Sequence, residues 1–197
     1  CCMPDSPGEG GTSPSARLFV ALWPDALTRR ALAAWRDACH WPPGARPVPD
    51  AKLHLTLHFI GAVPQARVAE LVRRLTIPCP SFELRFERVV AWPHGLVVIE
   101  TADVPDPLRT LHAGLAAALR TLGLPVERRA LRPHVTLARA AAAARWPPAH
   151  AALTWPAAGP VLVQSLPEGP YRVLTRRKRP RVGRPLRGIS RTVPVPR

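Results

Sequence analysis

The sequence predicts an α+β fold: two pseudo-symmetric lobes of mostly antiparallel sheet with outer helices and an active-site cleft between them. Three observations carry this. Strand-like and helix-like runs follow one another with short connections. A strand–helix–strand order occurs twice, opening at Leu18 and again at Leu96. Each copy closes on the same kind of string, His54-Leu55-Thr56-Leu57 in the first and His134-Val135-Thr136-Leu137 in the second. The histidine falls 36 residues after Leu18 in one copy and 38 after Leu96 in the other.

Residues 1–15 are rich in Pro, Gly and Ser and are expected to be disordered. Arg17-Leu18-Phe19-Val20-Ala21-Leu22 is an apolar run of strand length. Pro24 and Asp25 open a helix, because proline is tolerated in a first turn and aspartate complements the dipole. Leu27, Ala31, Ala34, Trp35 and Ala38 give that helix an apolar stripe. Pro42-Pro43-Gly44 end the region, and a proline-rich loop leads to the first histidine strand, about 53–60. Gly61 and Pro64 mark a turn. Val68, Leu71, Val72 and Leu75 follow i, i+3, i+4, i+7 spacing, which predicts a helix over 65–76 that Pro78 and Pro80 stop. Phe82, Leu84 and Phe86 alternate with Glu83, Arg85 and Glu87, so 82–91 reads as a half-buried strand. His94-Gly95 turns the chain into a strand over 96–101. Asp106-Pro107 starts a helix lined by Leu108, Leu111, Leu115, Leu119 and Leu122 and closed by Gly123. The second histidine strand spans 134–139, and short strands are expected at 161–166 and 171–175. The stretch 176–197 is expected to be a disordered basic tail, which leaves 16–175 as the folded bilobal domain.

Length and composition suit one domain with a real core: 197 residues, 47% of them hydrophobic. No apolar stretch approaches the length that spans a bilayer, and no charged-then-apolar leader opens the chain. A cytoplasmic monomer without an obligate protein partner is the expectation. Cys1, Cys2, Cys39 and Cys79 form no C-x-x-C pair and no zinc spacing, which suits a reducing compartment. The formal charge is +15, and the stretch from Arg176 onward carries nine basic residues and no acid, which leaves +6 for the rest. Such a balance favours anionic partners such as RNA. Only Lys52 and Lys178 are lysines. With abundant Ala and Pro, this points to GC-rich codon usage behind part of the arginine excess.

Side chains alternate across a strand, so His and Thr of each motif share one face while the apolar residues between them face the core. Two such strands suggest a cleft with two imidazoles, one giving a proton while the other takes one. A phosphodiester bound between them needs both acts: water loses a proton as it attacks phosphorus, and the departing oxygen gains one. Thr56 and Thr136 hydroxyls can donate hydrogen bonds to phosphate oxygens. One His-x-Thr is weak, since a single strand histidine is more often structural; the pair in matching units is what points to function. No carboxylate cluster suggests a pair of divalent ions. A ligand set built from His54, His58 and His134 lacks an acidic or thiolate member, so neither metal nor cofactor is expected.

The other candidates divide by parity. His58 shares the parity of His54 and Thr56 and is expected at the cleft rim. Phe59 has the opposite parity and is expected in the core. Arg132, two residues before His134, is a candidate phosphate contact, although Pro133 disturbs the strand there. Arg139 lies an odd number of residues from His134 and should face away. Tyr171 either stacks a base or packs. The tryptophans, mostly beside prolines, read as strand-end or loop anchors. His40, His94, His112 and His150 fall in loops or on a helix and carry no assigned role.

Taken together, four strings resemble a known family. They are Arg17-Leu18-Phe19-Val20-Ala21-Leu22, His54-Leu55-Thr56-Leu57-His58-Phe59-Ile60-Gly61, Arg132-Pro133-His134-Val135-Thr136-Leu137-Ala138-Arg139, and Ser165-Leu166 through Gly169-Pro170-Tyr171-Arg172-Val173-Leu174. The family is that of the RNA 2′,3′-cyclic phosphodiesterases, also called the 2′-5′ RNA ligase or LigT-like family, within the two-histidine phosphoesterases. The resemblance implies hydrolysis of an RNA or nucleoside 2′,3′-cyclic phosphate to the 2′-phosphomonoester, with reverse 2′-5′ ligation. It implies RNA ends or small cyclic nucleotides as partners, His54 as proton donor to the 3′ oxygen and His134 as proton acceptor from water. It also implies that Thr56 and Thr136 bind the phosphate. Spacing alone leaves the two histidines interchangeable. A non-catalytic RNA-binding module using the cleft and basic tail is the alternative, as is a two-histidine enzyme acting on another cyclic phosphate.

Overall fold

The structure, a computed structural model, describes residues 14–75, 77–127, 129–148, 152–157, 159–167 and 169–175. Nearly all of the segment 1–15, the tail 176–197, Cys1, Cys2 and His150 lie outside the described residues. Among the described residues, nine strands form one antiparallel sheet: β1 (Ser15–Leu22), β2 (Arg46–Pro47), β3 (Leu55–Pro64), β4 (Phe82–Trp92), β5 (Leu96–Thr101), β6 (His134–Arg139), β7 (Leu153–Ala157), β8 (Pro160–Ser165) and β9 (Arg172–Val173). The order is β7-β4-β5-β6-β3-β1-β8-β9, with β2 beside β6. The helices are α1 (Ala26–Asp37), α2 (Val68–Arg74) and α3 (Asp106–Thr121).

The predicted repeat is present. β1, α1 and β3 form one unit; β5, α3 and β6 form the other. Both pair their outer strand with the histidine strand in antiparallel fashion. The units meet where β3 pairs with β6 at Leu55 and Val135. Because that pairing is antiparallel, His54 lies across from Thr136 and Thr56 across from His134. The local twofold thus runs between Leu55 and Val135, and both motifs present their polar pair to one face. The main core lies on the other face, where Leu55, Val135, Leu18, Leu22, Leu108 and Leu115 are fully buried.

Both histidine strands carry a β-bulge directly after the motif. Val20 pairs with His58 and Ala21 with Thr56, so Leu57 is an extra residue. Val97 pairs with Ala138 and Val98 with Thr136, so Leu137 is the extra residue in the second copy. A bulge sets two residues opposite one and inverts the alternation beyond it. Two expectations are overturned as a result. His58 is not at the rim but 2% exposed, its ring stacked on His112 at 4.0 Å and its Nε2–H donating to the His112 carbonyl oxygen (2.9 Å). Phe59 is not in the core but 38% exposed on the cleft side. Arg139 is turned to the cleft for the same reason.

Helix α1 begins where expected, with the Thr28 N–H donating to Asp25 Oδ1 (2.8 Å) as an N-cap. Its buried face is rotated from the expected stripe. Thr28, Leu32, Trp35 and Cys39 face inward at i, i+4, i+7, i+11, whereas Leu27 is 69% exposed. Arg36 fixes this roll by donating to the Val48 carbonyl (2.6 Å) and to Asp50 (2.6 Å). The helix expected over 65–76 opens with a 3-10 turn at Gln65–Arg67 and becomes α-helical only over Val68–Arg74. β7 lies within a Pro/Ala-rich segment that carries no strand signal; it pairs with β4 and buries Trp155. No helix among the described residues is long and apolar enough to cross a membrane.

Candidate active site

A cleft of about 1450 Å³ opens over the paired motifs. His54 sits just before β3 and His134 opens β6. Each ring is fixed in the same way. The His54 Nδ1–H donates to the Lys52 carbonyl oxygen (2.6 Å), and the His134 Nδ1–H donates to the Arg132 carbonyl oxygen (2.7 Å). A carbonyl can only accept, so Nδ1 carries the hydrogen in both neutral rings and Nε2 keeps its lone pair. The Thr56 hydroxyl donates to His54 Nε2 (3.0 Å). Both threonines line the cleft, as do both histidines.

The surroundings of the two rings differ. His54 lies in an aromatic cage: Phe19 at 4.9 Å, Tyr171 edge-on at 5.4 Å and Trp23 stacked at 5.6 Å. Phe19 itself belongs to a small apolar cluster with Ala21, Val161 and Val163 under this half of the cleft. Burial pushes the His54 imidazolium pKa down to about 4, and the nearby charges of His134 and Arg139 add to that. His134 packs against Trp92 (4.3 Å) and is the register partner of Glu100 on β5. Glu100 is buried, accepts from Trp92 Nε1–H (2.7 Å) and pairs with Arg132 (2.6 Å). The Arg132 guanidinium also lies over the Trp92 ring (4.3 Å). Burial lowers the His134 pKa as well, but the carboxylate of Glu100 works in the opposite direction.

Cations surround this centre. Lys52, Arg132 and Arg139 line the cleft with the two histidines, and Lys52 Nζ sits 5.4 Å from the Tyr171 ring. The structure therefore gathers His54, Thr56, His134, Thr136 and Arg132, as the sequence suggested. It adds Arg139, which parity had turned away, and Glu100 and Trp92, which no motif signalled. Tyr171 packs on the His54 side. Trp23 and Trp92 are strand-end residues, and each flanks one histidine. His112 reaches the cleft through its pairing with His58, and His94 lines it at the tight turn before β5. The bulge-inverted positions had no local signal, because the leucine that forms each bulge also fits an unbroken strand.

Comparison with known proteins agrees with the architecture. A profile of the 2′-5′ RNA ligase superfamily matches residues 23–166. An RNA 2′,3′-cyclic phosphodiesterase of Thermus thermophilus is 34% identical over 176 residues, which covers 81% of this chain and 88% of the relative. A protein of the same name from Escherichia coli is 34% identical over 131 residues, 65% of this chain and 74% of the relative. The crystal structure of E. coli LigT complexed with 3′-AMP superposes with a TM-score of 0.70 at 29% identity, covering 81% of this chain and 94% of that one.

Proposed function

The chain belongs to the 2′-5′ RNA ligase superfamily, and from that premise we propose that its cleft hydrolyses 2′,3′-cyclic phosphates at RNA ends or on small nucleotides to 2′-phosphomonoesters. The observation that supports this most is the antiparallel crossing of the two motifs, which sets two Nε2 atoms and two hydroxyls around one space. In the forward step His134 Nε2 takes a proton from water as its oxygen bonds to phosphorus. The P–O3′ bond breaks, and His54 Nε2–H delivers its proton to O3′. The product is a 2′-phosphate with a free 3′-hydroxyl. Thr56, Thr136 and the cations of Arg132 and Arg139 stabilise the charge on the non-bridging oxygens. A 5′-hydroxyl in place of water gives, by the same transfers, a 2′-5′ linkage.

The donor role requires His54 to carry a proton, which burial opposes in the free site; the Glu100 carboxylate helps His134 hold the proton it takes from water. An anionic phosphodiester bound beside His54 offsets the burial that keeps it neutral in the free site. The proposal is tested with a nucleoside 2′,3′-cyclic phosphate in excess chelator. Turnover to the 2′-phosphate is expected. Binding without turnover, or a 3′-phosphate product, would overturn it.

A further inference from the structure

Each motif ends in a bulge, and a bulge leaves its extra residue unpaired in the ladder. Leu57 and Leu137 are both buried, so each carbonyl needs a donor from outside that ladder. The two copies meet this need differently. The Leu137 carbonyl accepts the backbone N–H of Val48 (2.7 Å). The Leu57 carbonyl accepts a ring N–H of His112, a side chain of α3. His112 is held in turn by the first copy: the His58 Nε2–H donates to the His112 carbonyl oxygen (2.9 Å), and the two rings stack at 4.0 Å with their planes 23° apart. Two reciprocal bonds thus join α3 to β3 around the bulge. Burial lowers the pKa of both rings, so both are neutral near pH 7, as rings stacked this closely need to be. Neither imidazole takes part in the proton transfers described above. Burying them costs desolvation that two apolar side chains would avoid, so their use at this point lies in the bonds they make.

The residue before this bulge is Thr56. Its backbone pairs with Ala21, and its hydroxyl donates to His54 Nε2 (3.0 Å). A bulge sets the bend and twist of its strand, so a bond that fixes the Leu57–His58 peptide also fixes the direction of the side chain beside it. We propose that His112, braced by His58, is a positioning residue that aims the Thr56 hydroxyl at the phosphate. The inference rests on the cyclic phosphodiesterase reading. It gives the first lobe a side-chain brace where the second lobe has a backbone bond from Val48.

The test is a double-mutant cycle between His112 and Thr56, read as kcat and KM on a nucleoside 2′,3′-cyclic phosphate. His112→Leu removes the bond to the Leu57 carbonyl and should lower kcat about tenfold. His112→Gln, which keeps an N–H donor, should stay within about threefold of wild type. Added to Thr56→Ala, His112→Leu should cost less than about twofold, because its effect runs through the hydroxyl already removed. Full kcat in His112→Leu would overturn the proposal. So would a loss of equal size with and without Thr56, or a Gln variant as impaired as the Leu variant. A second readout needs no turnover: the His54 Nε2 nitrogen resonance, which senses the Thr56 bond, should move in His112→Leu and not in His112→Gln. An unmoved resonance in His112→Leu would overturn the brace. Absence of turnover in the wild type together with a moved resonance would refute the cyclic phosphodiesterase reading and leave the brace standing.

Discussion

The two halves of the cleft share a backbone and differ in what surrounds it. His54 and His134 hold the same place in the same motif, each with Nδ1 tied to the carbonyl of the second residue before it, and each strand bulges at the leucine that ends the motif. The equivalent neighbours are unlike. Glu100 is the register partner of His134 on β5, and Trp23 holds the matching place beside His54 just past β1. An indole flanks both rings, but His134 has the Glu100 carboxylate across the β5 register, whereas His54 lies among Phe19, Trp23 and Tyr171. A twofold backbone by itself would supply two equal rings; these differences in the neighbouring strands give them unlike surroundings, and the proposed division into base and acid is what the following variants test.

Substitution of either imidazole should give the largest effect. His54→Ala and His134→Ala should each lower kcat about 10²–10⁴-fold with the fold intact by circular dichroism, since general acid and general base each contribute on that scale. Full activity in either variant would break the comparison. Thr56→Ala and Thr136→Ala should follow, each costing roughly 10–10²-fold through a lost hydrogen bond to the phosphate. Thr56 also bonds His54 Nε2, so its loss should disturb the pH profile more than that of Thr136.

Glu100→Gln sharpens the asymmetry. It keeps the shape and the acceptor for Trp92 but removes the charge paired with Arg132. A fall of about tenfold in kcat with little change in KM is expected, and the limb of the pH profile due to the base should move to lower pH. A change confined to KM would mean that Glu100 serves binding alone.

Acid stability gives the smallest effect. Burial lowers the pKa of His54, His58, His112 and His134. Below the ordinary histidine value of about 6.5 the unfolded chain then binds more protons than the folded one, so stability should fall as pH drops from about 6.5 toward 4. Urea melts at pH 7 and pH 5 measure this, and His54→Gln should show a smaller acid loss than the wild type. An equal loss would place the His54 titration elsewhere.

The sequence was informative where periodicity and motif agree. β5, β6 and α3 fall where hydrophobic spacing places them, and the twofold was visible as a repeated order of elements. Strand parity failed at a specific point. The Leu57 bulge exchanges the faces of His58 and Phe59, and the Leu137 bulge does the same for Arg139, because alternation holds only for an unbroken ladder. Helix α1 rolled away from its expected stripe since Arg36 is held by Val48 and Asp50, a contact made across the intervening loop. Glu100 is illegible in the sequence for a related reason. Its place beside His134 is set by register between strands far apart in sequence, and nothing in the string around it marks a buried carboxylate.

The division of labour is tested most directly with a 2′,3′-cyclic substrate whose O3′ is replaced by sulfur. A thiolate is a far weaker base than an alkoxide and departs without a proton. The His54→Ala defect should shrink to within about tenfold of wild type on this substrate, while the His134→Ala defect should stay near its full size of about 10²–10⁴-fold. Rescue of His134→Ala in place of His54→Ala, or equal rescue of both, would contradict the assignment of His54 as acid and His134 as base.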